Sequence, residues 1–184
     1  MIKKKKEASG AIGYVMLFMV VLLIIIITMY LIQVSKLMTH QHHVDDSLTD
    51  SVLASLVADD IYYFETYETT ETPVVRFRDI DESYDVFVDC MYDAIQGTQD
   101  YYYNFSIDTF IGYEVEGNKV TVTTYAGGAK SVRVKSLGSV FAPTGEVVKE
   151  TSAYGKVRFD IKSILDGSLV TKTKDIYCTL EINE

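Results

Sequence analysis

The strongest pattern in the chain is an uninterrupted apolar run from Ala11 to Ile32, which contains no charged residue. At about 1.5 Å per residue, a helix of this length spans about 33 Å, enough for the hydrocarbon core of a bilayer. Tyr14 and Tyr30 lie near its two ends, where aromatic rings favour the membrane interface. The alternatives are a buried core helix, which in a soluble chain of this size need not be apolar on every face, and a signal peptide, which has a shorter apolar run followed by a small-x-small cleavage site. We therefore predict a retained transmembrane helix over residues 11–33.

After this run the chain turns polar but keeps the period of a helix. Apolar residues recur at spacings that are mostly three, four or seven, at Val34, Leu37, Val44, Leu48, Val52, Leu56 and Ile61. Such a stripe is typical of an amphipathic helix that packs against a neighbouring surface. No glycine or proline occurs from Gln33 until Pro73. We therefore predict one continuous helix from Ala11 to about Tyr63, in which residues 34–64 form the extracytoplasmic continuation.

The remaining residues, 65–184, have the patterns of a small mixed domain. A stretch rich in threonine and glutamate marks the exit from the long helix, and a first strand is predicted from Pro73 to Ile80. One short helix is predicted from Ser83 to Gln96, because apolar residues recur at helical spacing at Tyr84, Phe87, Val88, Met91 and Ile95.

From Tyr101 onward, apolar and polar residues alternate with the period of a strand. Gly117-Asn118 predicts a tight hairpin turn, and Gly127-Gly128 predicts the next turn. Strands are predicted at Tyr101–Ile107, Phe110–Glu116, Lys119–Tyr125, Ser131–Leu137, Glu146–Thr151, Lys156–Ile164 and Asp175–Asn183. The alternation favours an antiparallel sheet with one buried and one wet face. The predicted fold is α+β: a long N-terminal transmembrane and amphipathic helix, then a small head with one short helix and a mostly antiparallel β-sheet.

Charge sets the expected orientation of the anchor. Lys3 to Lys6 precede the apolar run, and only Lys36 lies close behind it. Lysines beside a span stay cytoplasmic, so we predict residues 1–10 as a basic cytoplasmic leader of a single-pass cell-membrane protein, with the head outside the cytoplasm. The whole chain has a net charge of −9, and the head is more acidic still because the lysine-rich leader lies inside. Such a head is not expected to bind nucleic acid, whose phosphates would repel it.

Candidate catalytic and metal-binding residues are few. The three histidines, His40, His42 and His43, all precede the head, so a histidine-based nucleophile relay has no base there. A metal site at these histidines would need further ligands, and Asp46 is the nearest candidate. Three acidic residues of the short helix, Asp81, Asp85 and Asp89, are spaced by four residues. We interpret them as a solvated helix face. We predict no enzymatic activity, no metal site and no cofactor.

The two cysteines are Cys90, on the predicted short helix, and Cys178, on the buried face of the last predicted strand. An exported domain can hold a disulfide between two such elements, and a bond of this kind contributes about 2–4 kcal/mol. The alternative is two separate buried thiols that pack as small hydrophobes. The sequence leaves both alternatives open.

A short lysine-rich leader that ends in Gly10, an immediate apolar helix with an amphipathic continuation, and a C-terminal head resemble the plan of type IV pilin-like proteins. The chain is most similar to the TadE-like minor pilins or pseudopilins of tight-adherence systems, over residues 1 to about 64 and in architecture only. The resemblance implies a structural subunit of a bacterial pilus or secretion assembly, with cleavage between Gly10 and Ala11 by a prepilin peptidase. The implied partners are the lipid bilayer and other pilin-like subunits or assembly-machine proteins, which would pack along the helix from Ala11 to Tyr63.

The chain departs from this family at one position. The family usually has a glutamate five residues past the cut, where this chain has Val15. Without that carboxylate, the new terminal amine lacks its usual partner in a neighbouring subunit, which favours a minor, tip or membrane-resident component over a major subunit. The alternative function is a bitopic cell-surface binding or sensor module, which a single signal-anchor helix would hold at the membrane.

Overall fold

The computed structural model describes residues 2–70, 74–98, 101–163 and 167–180. Along these residues the elements are α1 (Ile2–Ser55), α2 (Asp60–Thr70), α3 (Ile80–Gln96), β1 (Tyr103–Glu116), β2 (Lys119–Ala126), β3 (Ala129–Ser136), β4 (Ser152–Lys162) and β5 (Leu169–Thr179). The predicted α+β class is confirmed, with a long apolar N-terminal helix, short helices and an antiparallel sheet. The chain divides into two compact units, Met1–Gln41 and His42–Glu184. The second is called the head unit below, and it begins earlier than the predicted boundary at residue 65.

The long helix differs from its prediction at both ends. It begins at Ile2 instead of Ala11, and it is unbroken until Ser55. The predicted continuation to Tyr63 is wrong, because the chain leaves the helix after Ser55 and starts a second helix, α2, at Asp60. The head therefore has two short helices among its described residues, where the sequence predicted one.

Backbone pairing explains the break after α1. The amide of Asp59 donates to the carbonyl of Arg76, and the amide of Arg78 donates to the carbonyl of Val57. These bonds form an isolated bridge between Ala58 and Phe77. Among the described residues of the strand predicted at Pro73–Ile80, only Phe77 forms such a bridge. Pro73 itself lies outside the described residues.

A single acidic residue caps each of the short helices. The carboxylate of Asp59 accepts from the amide of Tyr62 at the start of α2. The carboxylate of Asp79 accepts from the amides of Asp81 and Glu82, so that α3 begins at Ile80, three residues before the predicted Ser83. The buried face of α3 comprises Ser83, Phe87, Met91 and Ile95.

The sheet has five antiparallel strands in the order β3-β2-β1-β4-β5. The two strands predicted before Gly117 are one strand, β1, whose pairing with β4 is irregular between Tyr103 and Thr109. The strand predicted at Glu146–Thr151 is wrong, since only Val147 pairs there, in an isolated bridge with Phe141. The last strand, β5, begins at Leu169, before the predicted Asp175, and the end of that prediction lies outside the described residues.

Both faces of the sheet are covered, which corrects the expectation of one wet face. On the first face, Val52 of α1 and Phe87 of α3 lie over Gly155 of β4. On the second face, a cluster of buried residues comprises Ile111, Tyr113, Val120, Val140, Val148 and Tyr154. Val140 and Val148 come from the long connection between β3 and β4, so that connection acts as a third layer.

Candidate functional site

The apolar segment of α1, from Ile12 to Ile32, exposes every one of its large side chains. Among the described residues, α1 is the one helix that is long and apolar enough to cross a membrane, by length and composition, and its most apolar window has a mean hydropathy of 3.2. The hydroxyl of Thr28 donates to the carbonyl of Ile24 at 2.8 Å, which satisfies this polar group inside the helix. Exposed apolar surfaces of this extent are typical of interaction sites.

The candidate processing residues, Gly10 and Ala11, both lie inside α1. No atom outside the helix backbone lies within 4 Å of the position that a Cβ on Gly10 would take. Cleavage between these residues stays a prediction.

The other end of α1 belongs to the core of the head unit. Val44, Leu48 and Val52 are fully buried, and they repeat every four residues as the sequence predicted. Asp45, beside this stripe, forms an ion pair of 2.8 Å with Lys174 of β5. One helix therefore carries an exposed apolar segment at one end and a core element at the other.

Of the three histidines on α1, His43 contacts α3. His43 Nε2 lies 3.4 Å from the carbonyl oxygen of Ala94 on α3. Within the described part of the chain, no three histidine, cysteine, aspartate or glutamate side chains lie together in a metal-binding arrangement. His43 is therefore a contact between α1 and α3 within the head unit.

Asp81 has a role that the sequence did not predict. Its Oδ1 accepts from the hydroxyl of Tyr125 and from Nζ of Lys130, both at 2.6 Å. The bond from Lys130, followed by the bond from Tyr125, lowers the pKa of this carboxyl. The ring of Tyr125 also stacks on Tyr84 of α3, with centroids 4.2 Å apart. Asp81 therefore joins the start of α3 to the β2–β3 hairpin. This contact differs from the prediction, which placed Asp81 with Asp85 and Asp89 on a solvated face.

The two candidate disulfide residues are free thiols in the structure. Cys90 lies on α3, and Cys178 lies on β5 opposite Ala153 of β4; both are half-buried. Cys178 also borders a groove together with Leu53 and Leu56. Burial raises the pKa of the Cys178 thiol, which lowers its reactivity. The disulfide stays a prediction.

The structure has a further surface that the sequence did not predict. A groove of about 330 Å³, called the β3 groove below, lies on the second face of the sheet and is lined by Ile111, Arg133, Lys135, Val140, Phe141 and Pro143. It exists because the connection after β3 folds back over the sheet. Val140 and Val148 are apolar residues of that connection, but their spacing does not show that it folds over the sheet.

Comparisons with protein-family models, with curated proteins and with solved structures found no match. What the chain can do is therefore inferred from its own residues. The head unit beyond His43 contains no histidine, and the tyrosines with raised pKa values, such as Tyr102 and Tyr113, are shifted chiefly by burial. The arrangement offers two contact surfaces, the apolar segment of α1 and the β3 groove.

Proposed function

We propose that the chain is a membrane-anchored, pilin-like structural subunit, of the minor-pilin or pseudopilin kind, in a bacterial pilus or secretion assembly. The observation that carries the proposal is α1, a helix of 54 residues with an exposed apolar segment and a final section buried in the head unit. Under this proposal the lysines before the apolar segment stay in the cytoplasm and the head unit lies outside.

The exposed apolar segment supports membrane insertion on energetic grounds. Removing apolar surface from water stabilises by about 25 cal/mol per Å². Every large side chain from Ile12 to Ile32 is exposed, and the chain itself leaves this surface uncovered. A bilayer covers the whole circumference of such a helix, and a neighbouring apolar helix covers one side of it.

The other end of α1 supports a subunit more than a tethered sensor. A tether needs only a flexible link between its anchor and its domain. Here helical hydrogen bonding continues without a break from the apolar segment to Ser55, past the buried residues Val44, Leu48 and Val52. Subunits that assemble through their helices use such continuity.

Intact-mass measurement and N-terminal sequencing of the protein from native membranes test this proposal. A mature chain that begins at Ala11 supports a pilin-like subunit. A chain that keeps Met1 is a permanent signal-anchor, which supports the cell-surface binding or sensor module and an unprocessed assembly component equally. The matched variants are Gly10→Leu and Gly13→Leu, because both glycines lie in α1 with open space around them. Only Gly10→Leu should abolish cleavage.

A further inference from the structure

We propose that β3 is a docking edge for an extended, acidic segment of a partner protein, which adds a strand to the sheet and places side chains in the β3 groove. This surface lies wholly within the head unit, so the inference does not depend on the proposed function. The argument rests on the open edge of β3, its charge and the groove beside it.

β3 is an edge strand that lacks cover. It pairs with β2 along one side, and it ends the strand order of the described sheet. All eight of its residues are exposed, and Val132 and Val134 are 56% and 62% exposed. An edge of this length and exposure can accept another strand.

The pairing register identifies the backbone groups that are open to a partner. The amide of Leu137 donates to the carbonyl of Asn118, so this residue faces β2. In an antiparallel pair, residues of the same parity face the partner strand and the alternate ones face away. The amides and carbonyls of Lys130, Val132 and Val134 therefore point away from the sheet.

The charge of the edge selects the partner. Arg133 and Lys135 line the β3 groove, and neither side chain has an ion-pair or hydrogen-bond partner within the described part of the chain. They lie on a chain whose net charge is −9. Pairing of β3 with β3 of a second copy would bring these like charges together. An acidic strand is the complement that both cations favour.

The β3 groove lies on the same face of the sheet as the two cations, whereas the exposed valines of β3 face the other side. Ile111 and Val140 form its floor, and Phe141 at its border is 60% exposed. Alternate residues of an added strand point to one face of the sheet. A segment that alternates acidic and apolar residues can therefore place its carboxylates beside the cations at the groove and its apolar side chains beside the exposed valines of β3 on the other face.

The probe is a fluorescein-labelled peptide of alternating glutamate and valine, titrated into the full chain in detergent and followed by fluorescence anisotropy. A peptide with lysine in place of glutamate is the matched probe. We expect the acidic peptide to bind at least tenfold more tightly than the basic one, and salt to weaken its binding. Equal binding of the two peptides, or no binding of the acidic one, would overturn the proposal.

Two sets of variants locate the binding. The double change Arg133→Glu with Lys135→Glu should weaken binding at least tenfold, while Lys172→Glu on the opposite edge should change it less than twofold. Val132→Pro should abolish strand addition, because it removes an outward donor without breaking a bond to β2, and Val132→Thr should retain it. Unchanged binding in the double variant or in Val132→Pro contradicts the proposal.

Amide hydrogen exchange on the unmodified chain gives a readout that does not depend on the folding of any variant. Peptide binding should protect the outward amides of Lys130, Val132 and Val134. The amides of Ser131 and Arg133 already face β2 and should be protected with and without peptide, which reports an intact hairpin. Protection confined to any other element would overturn the assignment to β3.

Discussion

Val52 of α1 and Gly155 of β4 meet so closely that a single added carbon would collide with both α1 and α3. A Cβ on Gly155 would lie 2.7 Å from Cγ2 of Val52 and 3.0 Å from Cε2 and Cζ of Phe87. This contact seats the end of the long helix on the first face of the sheet. Valine has few rotamers in a helix, so Val52 cannot easily move away.

Gly155→Ala is expected to destabilise the head unit by about 1–3 kcal/mol, because the extra methyl overpacks a fully buried site. Gly112→Ala is the matched control on β1. A Cβ there would lie 2.3 Å from Cδ1 of Ile80, which is the end of a flexible, half-buried side chain. Its cost should be below about 1 kcal/mol, since Ile80 can change rotamer. Chemical unfolding followed by tyrosine near-ultraviolet circular dichroism measures both, and an equal loss would contradict this contact.

The buried stripe of α1 can be tested by shortening one leucine at a time. Leu48 is 1% exposed, and Leu48→Ala should cost about 2–5 kcal/mol through lost burial and a cavity. Leu53 is 49% exposed on the same helix, so Leu53→Ala should cost less than about 1 kcal/mol. The free energy of unfolding, measured in urea, distinguishes the two. Similar losses would show that the end of α1 does not pack as described.

Glu114 on β1 should make the head less stable as the pH rises. Burial is the main cause that raises the pKa of this carboxyl above its ordinary value of 4.5, although the amide of Phe77 and the charge of Arg76 act against it. The neutral carboxyl therefore contributes to the stability of the head below pH 4.5, and this contribution is lost as the pH rises through the raised pKa. Glu114→Gln keeps an acceptor for Phe77 and should be more stable than the unmodified chain at pH 7.

That gain should shrink as the pH is lowered toward 4. Glu68→Gln, at an exposed position on α2, serves as the control and should change the stability little at either pH. Thermal unfolding at pH 4 and pH 7 gives both comparisons. A Glu114→Gln variant that is less stable at pH 7 would contradict the conclusion that this half-buried carboxylate destabilises the head when it is charged.

Asp81 should have the opposite pH dependence. Its bonds from Lys130 and Tyr125 lower the pKa of the carboxyl below its ordinary value of 3.8. The stability that it adds is present above pH 3.8 and is lost as the pH falls through the lowered pKa. Asp81→Asn should therefore be less stable than the unmodified chain at pH 7, and the two should converge in acid. If the difference in stability between the two proteins persists unchanged in acid, the ion pair is not its source.

The sequence predicted the elements that rest on a regular period. The apolar run before Ile32, the stripe through Val52 and the hairpin turn at Gly117 each carry a local pattern, and all three lie where expected. At Gly117 the backbone φ is +55°, a conformation that glycine adopts without strain.

The misplaced features depend on contacts between distant residues. Leu56 and Ile61 continue the apolar stripe of α1, so its spacing could not show that the helix stops at Ser55. The stop depends on Asp59, whose amide bonds to Arg76 and whose carboxylate caps α2 and forms an ion pair of 2.8 Å with the Arg76 guanidinium. The β3 groove was equally hidden, because no local pattern shows that the segment between β3 and β4 folds back over the second face.

Protease accessibility in native cells tests the central claim, that α1 anchors the chain in a membrane with the head unit outside. In one experiment, isolated membranes are washed with alkaline carbonate. In a second, intact spheroplasts are treated with proteinase K and compared with lysed ones by mass spectrometry. The account predicts that the chain stays in the washed membranes, and that protease removes the head unit of intact spheroplasts while sparing the apolar segment from Ile12 to Ile32. Release of the chain by carbonate, or a head unit that is cut only after lysis, would contradict it.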